Sequence, residues 1–198
     1  MRKFVQVTLV SSLFMFFGSA LAHEHGAKSP QYTPKFSQLG EGRSVDYNGR
    51  PIYHHVSHDD LPSNVALFEE VLPAKSLGAP PHTHENEDEI FVVLDGTVHF
   101  LNGKQEVVAK SGTVASLPRM NQHGFWNPYD EPAHLLVFVA PGHFSTFFEA
   151  VQNAVMDANG ATPEEVGGII AQEAEKLGVK IDMSQLPASA LSLLQPNP

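Results

Sequence analysis

An all-β sandwich or barrel with helices at its C-terminal end is the fold class this sequence predicts, and three observations predict it. Eight short runs rich in β-branched and aromatic residues follow one another between residues 43 and 139. No segment of helical period lies between them, which argues against a parallel sheet. Asn48-Gly49, Asp95-Gly96 and Asn102-Gly103 each separate two of the runs. Such dipeptides supply the positive-φ positions of type I′ turns, so three antiparallel hairpins are expected.

The elements follow in order. Met1-Arg2-Lys3 opens a basic start, Phe4 to Phe17 is mostly apolar, and Ala20-Leu21-Ala22 is a small-x-small cleavage site. Residues 1–22 therefore read as a secretory signal peptide cleaved after Ala22, too short and wrongly flanked for a membrane span. The mature protein is expected to be periplasmic or secreted, exported unfolded because no twin arginine is present. With no cysteine it has neither a disulfide framework nor a lipid-anchor site. Residues 23–41 are polar with Gly, Pro and Ser and read as a mobile arm. The barrel is expected over 42–142, with strands at "RSVDY" (43–47), "RPIYHHV" (50–56), "NVALFEEVL" (64–72), "EIFVVL" (89–94), "TVHFL" (97–101), "KQEVVA" (104–109), "GTVASLP" (112–118) and "AHLLVFV" (133–139).

Residues 143–198 change period. Phe144, Phe147, Phe148, Val151 and Val155 form one apolar stripe at helical spacing. A second helix begins at Thr162, with Pro163 at its first position and Glu165 completing a capping box. Val166, Ile169, Ile170, Ala174 and Leu177 make its buried face, and Gly178 can end it. Both helices are expected to pack on the barrel or on a second subunit. The tail from 184 carries no clear signal.

Charge narrows the partners. The chain carries 12 basic and 22 acidic residues, net −10, and removing residues 1–22 takes away two cations and no acid, leaving −12. That argues against nucleic acid and anionic membrane surfaces as partners, since both require basic patches. An acidic surface favours cations.

The stretch "PPHTHENEDEIFVVLDG" (80–96) is where a cation would bind. If residues 81–85 are extended, His82 and His84 share a face, because side chains alternate along a strand. Glu89 opens the next strand and shares a face with Phe91 and Val93, the inward residues of an apolar interior. A third histidine, His123, follows the Gly112 to Pro118 segment. Imidazole and carboxylate ligands suit a divalent transition ion (Fe, Mn, Ni, Co, Cu or Zn) rather than Ca or Mg alone. Glu85, Glu87 and Asp88 read as a solvated acidic loop. Of His54 and His55 only one can face inward, and with His58 they read as surface positions. His99 should lie opposite the apolar face.

Two motifs resemble a known family. "GAPPHTHENEDEIFVVLDG" reads H-x-H-x4-E-x6-G, with His82, His84, Glu89 and Gly96 in register. "GTVASLPRMNQHGFWN" reads G-x5-P-x4-H-x3-N, with Gly112, Pro118, His123 and Asn127 in register. These are similar to the paired motifs of the cupin superfamily, over roughly residues 40–150, and imply a jelly-roll β-barrel. The strands and trailing helices look most like bacterial single-cupin quercetin 2,3-dioxygenase-like proteins. The resemblance implies that His82, His84 and His123 are metal ligands and that Glu89 is a fourth ligand or a general base, hence the catalytic residue. Met120 stands where the second motif usually has glycine, and Gly78 lies closer to the first histidine than usual. Met120 is expected to alter the loop or place a thioether near the pocket, so substrate fit changes more than metal binding. Phe91, Val93, Met120, Phe125 and Phe138 are the candidate pocket residues for a flat ligand, with core packing the alternative for the aromatics.

The resulting expectation is a metal-dependent dioxygenase acting on a flavonol-like or other enol or phenol substrate, with O2 as co-substrate. Glu89 would accept the proton of the substrate hydroxyl. A decarboxylase, isomerase or lyase acting on small carboxylates or sugars is the second reading, though it wants an Arg or Lys clamp. Arg119, Lys104 and Lys110 are the cations near the motifs. A non-enzymatic exported protein that binds a metal or small ligand is the third. Members of the family often dimerise, so a homodimer is also expected. Cleavage after Ala22 would expose His23-Glu24-His25, where a free amine with histidine in third position can wrap Cu(II) or Ni(II) as a second metal site.

Overall fold

The computed structural model describes residues 32–194. The signal segment, its cleavage site and the His23/His25 pair lie outside the described residues, as does the arm up to residue 31. Residues 32–41 contain no helix or strand. They are tied to the barrel, with the Gly40 N–H on Glu69 (2.8 and 3.0 Å) and Lys35 on Asp60.

Among the described residues, eleven strands follow the expected run of short β-segments. They are β1 (Arg43–Tyr47), β2 (Arg50–Val56), β3 (Ala66–Leu72), β4 (Ser76–His84), β5 (Asp88–Asp95), β6 (Thr97–Asn102), β7 (Gln105–Lys110), β8 (Val114–Leu117), β9 (His123–Asn127), β10 (Ala133–Ala140) and β11 (Val179–Ile181). Two antiparallel sheets result, in the order β1-β2-β3-β10-β5-β8 and β11-β4-β9-β6-β7. Their inner faces close a jelly roll around Phe68, Phe91, Phe100, Leu135 and Val137, all buried. Each such side chain contributes about 1.5–3 kcal/mol by leaving water.

The turn dipeptides behave in three ways. Asn48 and Gly49 both have positive φ and join β1 to β2, as a type I′ loop requires. At Asn102-Gly103 the two loop residues are Gly103 and Lys104, and only Gly103 has positive φ, so β6 and β7 meet through a II′ pattern. Asp95-Gly96 makes no hairpin. β5 pairs with β10 and β8 while β6 pairs with β9 and β7, so the chain changes sheets there. Gly96 (φ +78°) makes that corner, and a Cβ on it would lie 2.6 Å from the Pro132 carbonyl.

Two strands had no strand-like sequence. β4 contains Gly78, Pro80 and Pro81, and its register against β9 slips on both sides of Ala79. Bulges of this kind are where a sheet tolerates proline and glycine. Gly78 is needed for contact as well, since its missing Cβ would fall 2.1 Å from the Phe125 ring. β9 carries His123, Gly124 and Asn127, and all five of its residues are buried.

The helices pack on the barrel of the same chain. α1 (Thr146–Ala158) sets Phe147 and Phe148 against Tyr47, with ring centroids 5.7 and 5.3 Å away. α2 (Pro163–Lys176) begins with the expected box, the Glu165 N–H donating to Thr162 Oγ1 and the Thr162 N–H to Glu165 Oε2. Gly178 follows with φ +79°, and the chain returns as β11 beside β4. The tail, silent in sequence, forms two 3-10 turns and the short α3 (Ala188–Leu191), whose Ala190 is buried with Leu101 and Trp126.

Candidate metal centre

β4 lies between β11 and β9, and its register sets the site. His82 stands directly across from His123 on β9 and from Ile181 on β11, while His84 stands across from Val179. Alternation keeps both β4 histidines inward, and Glu89 enters from β5 in the opposite sheet, on the face it shares with Phe91 and Val93. All four side chains are buried, and one donor atom from each can be chosen so that all lie within 4.8 Å of one another. Glu89 Oε2 is 2.8 Å from His123 Nε2 and 3.4 Å from His84 Nε2. The cluster could hold a metal ion.

The hydrogen bonds around the rings support that fit. His82 Nδ1 donates to the Pro80 carbonyl (2.7 Å) and His123 Nδ1 to the Asn121 carbonyl (3.0 Å). A carbonyl only accepts, so in neutral rings the proton sits on Nδ1 and the Nε2 lone pair points inward. His84 Nδ1 donates to Glu87 Oε2 (3.2 Å), and buried His84 Nε2 has no hydrogen-bond partner. Lone pairs of three imidazoles and a carboxylate facing one centre repel unless a positive charge lies among them. Outer acceptors that fix a ring's tautomer are a regular companion of metal-binding histidine.

The electrostatics agree. Burial holds His82 down to about 3, with the His123 and His84 charges adding to it. Burial lowers His84 too, but the Glu87 hydrogen bond and the Glu89 charge outweigh it and its pKa rises. Burial works to raise Glu89, yet a hydrogen bond from His123 Nε2, with a proton in place of an ion on that lone pair, and the imidazole charges bring it down to about 2. Glu87 is thus no part of a solvated loop: it is buried and hydrogen-bonded to His84. Asp88 and Glu85 do lie outside, paired with Arg119 and Lys180.

His82 and Glu89 also line an open-mouthed cavity of about 90 Å³. Phe91 and Phe125 line it, as do Phe68, Val137 and Phe144; α1 contributes Phe147 and Phe148, and α2 contributes Ile170 and Ala174. Three expected pocket residues stand elsewhere. Val93 is buried in the core beyond the cavity. Phe138 alternates with Val137 and Val139 and so points outward, 41% exposed. Met120 is 69% exposed; its φ of +64° serves a turn in which its N–H donates to the His84 carbonyl.

The sequence reading missed a second polar group in this cavity, formed by Tyr47, Arg50 and Glu70. Arg50 Nη1 bonds Glu70 Oε1 at 2.6 Å, and the guanidinium lies over the Tyr47 ring at 5.5 Å. Burial raises Glu70 against the pull of Arg50, and burial pushes Tyr47 up to about 12. The signal was present: alternation in "ALFEEVL" puts Glu70 on the face of Phe68 and Leu72.

The remaining histidines divide. His54 is buried between Phe68 and Phe148, with both ring nitrogens unpartnered, so it is a core residue and not a surface one. His55 points outward but is covered, donating through Nε2 to Glu69 (2.8 Å). His99 lies on the outer face, against Tyr129 and Trp126, as alternation predicts.

Residues 68–139 match the family model of the Cupin domain. No curated protein matches the chain. Solved structures similar to it include a sugar phosphate isomerase of the cupin superfamily from Silicibacter pomeroyi, at 25% identity and a TM-score of 0.42, covering 47% of this chain and 60% of that one. A predicted oxalate decarboxylase from Thermotoga maritima is 23% identical with a TM-score of 0.43, over 46% of this chain and 78% of that one. A Cupin 2 conserved barrel domain protein from Salinispora arenicola is 16% identical with a TM-score of 0.46, over 57% and 95%.

Proposed function

The chain belongs to the cupin superfamily, and from that premise we propose that it is an exported, metal-dependent dioxygenase acting on a flat enol or phenol of the flavonol kind. The observation that carries this reading is the cavity: aromatic and aliphatic walls lead to His82 and Glu89, and its one lining cation, Arg50, is already paired with Glu70. His82, His84 and His123 would hold the ion through Nε2, with Glu89 as fourth ligand or as base beside it. A bound divalent ion supplies the positive charge that lowers the pKa of a substrate hydroxyl.

The protein's own residues do the rest. Glu89, ionised at neutral pH, accepts the proton released from that hydroxyl. Phe68, Phe91 and Phe125 hold a planar ring by contact, and Phe144, Phe147 and Phe148 add apolar wall that limits water around it. The electron-rich substrate is then poised to take up both atoms of O2.

Decarboxylation or isomerisation of small carboxylates or sugars would call for a free cation to clamp an anion. None of Arg119, Lys104 and Lys110 lines the cavity, and the Arg119 guanidinium is engaged by Asp88 through two hydrogen bonds. The test is oxygen uptake by protein loaded in turn with Fe(II), Mn(II), Ni(II) and Co(II), in the presence of a flavonol. Turnover with at least one metal is expected, and none with any metal would remove the reading. Export is tested separately by mass spectrometry of the native protein, which should begin at His23.

A further inference from the structure

The cavity has two polar ends, and their spacing follows from strand register. Glu89 shares a row with Val139 and Ala66 across β5, β10 and β3, whereas Glu70 shares a row with Leu135 and Val93. Ala66 and Glu70 are four residues apart on β3, roughly 13 Å at ~3.3 Å per residue. The row between holds Phe68, Val137 and Phe91, all apolar and all lining the cavity. From His82 and Glu89 the wall therefore runs polar, apolar, polar.

The far end has unspent hydrogen-bonding capacity and no net charge. Arg50 uses Nη1 on Glu70 and reaches the Gly78 carbonyl with Nη2 only at 3.4 Å. A guanidinium has five N–H donors, and a carboxylate can accept at both oxygens. Because Glu70 already neutralises Arg50, an anionic ligand group would have to compete with it. A neutral hydroxyl or carbonyl does not, since it can accept from Arg50 and, as a hydroxyl, donate to Glu70.

We propose that Tyr47, Arg50 and Glu70 form a specificity end that selects a ligand with a neutral oxygen at the far side of a flat apolar body, and that Glu70 is the residue that turns anions away. The proposal rests on the enol/phenol reading above and narrows its substrate to one with oxygens at both ends. Removal of Glu70's charge should leave Arg50 free to clamp a carboxylate, so a single substitution is expected to invert the preference.

Calorimetry on the full chain loaded with redox-inert Zn(II) tests this with three probes: 4,4′-dihydroxybiphenyl, 4-hydroxybiphenyl and 4′-hydroxybiphenyl-4-carboxylate. The wild type should bind the diol at least about tenfold more tightly than either of the others, because a site built around polar groups rejects a partner that leaves them unpaired. Glu70→Gln should bind the carboxylate more tightly than the diol. The double variant Arg50→Met/Glu70→Leu removes the pair without stranding a charge, a change proteins tolerate well. It should bind the diol and 4-hydroxybiphenyl within about twofold of each other, so the proposal stays testable even if Glu70→Gln does not fold. Equal wild-type affinity for all three probes, or a folded Glu70→Gln with unchanged order, overturns the proposal. A protein that shows the inversion but consumes no O2 keeps its specificity end and loses the dioxygenase reading. One that turns over flavonol with unchanged probe order in Glu70→Gln loses the specificity end alone.

Discussion

Inside the barrel, His82, His84, His123 and Glu89 surround a common centre; on the outer face of the six-stranded sheet, His55, His134 and Glu69 do something different with the same two residue types. Glu69 sits in the middle of the outer group and is only 1% exposed. It accepts from His55 Nε2 (2.8 Å), His134 Nε2 (2.5 Å) and the Gly40 N–H, while the Ser37 hydroxyl donates to His55 Nδ1. There the carboxylate is the centre and protons point at it. In the inner group the protons point away, toward Pro80, Asn121 and Glu87, and lone pairs converge. Composition does not distinguish the two groups; proton direction does. The outer group fastens residues 37–40 to the sheet, and the inner one is arranged for a cation.

The largest effect should separate the groups outright. Alanine at His84 or His123 should weaken metal binding by more than the ~10–100-fold typical of a lost outer partner, whereas alanine at His55 or His134 should leave it unchanged. Equilibrium dialysis with Zn(II) reads both, and equal losses would erase the distinction drawn above.

Next in size is Glu87, which belongs to the inner group through one hydrogen bond. Glu87→Ala strands the His84 Nδ1 proton and should cost about 10–100-fold in metal affinity, while Glu87→Gln, which can still accept, should cost less. Wild-type affinity in Glu87→Ala would show that His84 needs no outer partner.

The outer group should answer to acid instead of metal. Burial tends to raise Glu69, but its bonds to Gly40, His55 and His134 hold its pKa below the ordinary 4.5. A carboxyl depressed on folding stabilises the protein above its unfolded pKa and loses that contribution as pH falls through the folded one. Glu69→Gln should therefore cost about 2 kcal/mol at pH 7, with a gap to wild type that closes below about pH 4.5. Urea unfolding across pH measures it, and a gap that stays constant would mean Glu69 is uncharged in the fold.

His54, on the inward face of β2 yet part of neither group, gives the smallest effect. Burial, with help from the Arg43 and His55 charges, lowers it from 6.5 to about 4. As pH falls below 6.5 the unfolded chain takes the proton first, so stability is lost between pH 6.5 and 4. His54→Leu removes that loss and two unpartnered nitrogens, and should gain about 1 kcal/mol at pH 7 and more at pH 4. Thermal denaturation at the two pH values checks it, and a loss of stability in the variant would mean the ring nitrogens are satisfied.

Much of this was legible because it is local. Asn48-Gly49 fixes its own hairpin, Thr162 to Glu165 fixes its own cap, and alternation alone sends Glu89 to the side of Phe91. The less legible parts are those decided by distant residues. β4 and β9 are strands because sheet neighbours hold them, against the preference of Gly78, Pro80, Pro81 and Gly124. Asp95-Gly96 has the residues of a hairpin, but strand pairing across the two sheets turns it into a corner. Met120 and Phe138 could not be placed without knowing which face each backbone turns outward. Glu87 appears as one acid of a loop until its distance to His84 Nδ1 is known, and Arg50 finds Glu70 twenty residues away.

The claim that the inner group alone is built for a cation is tested most directly by anomalous diffraction at the zinc edge, on crystals of the full chain grown with Zn(II). A single peak bonded to Nε2 of His82, His84 and His123, with Zn–N distances of ~2.0–2.1 Å and no peak beside Glu69, is the predicted result. A peak among His55, Glu69 and His134, or none between the three inner histidines, would contradict it.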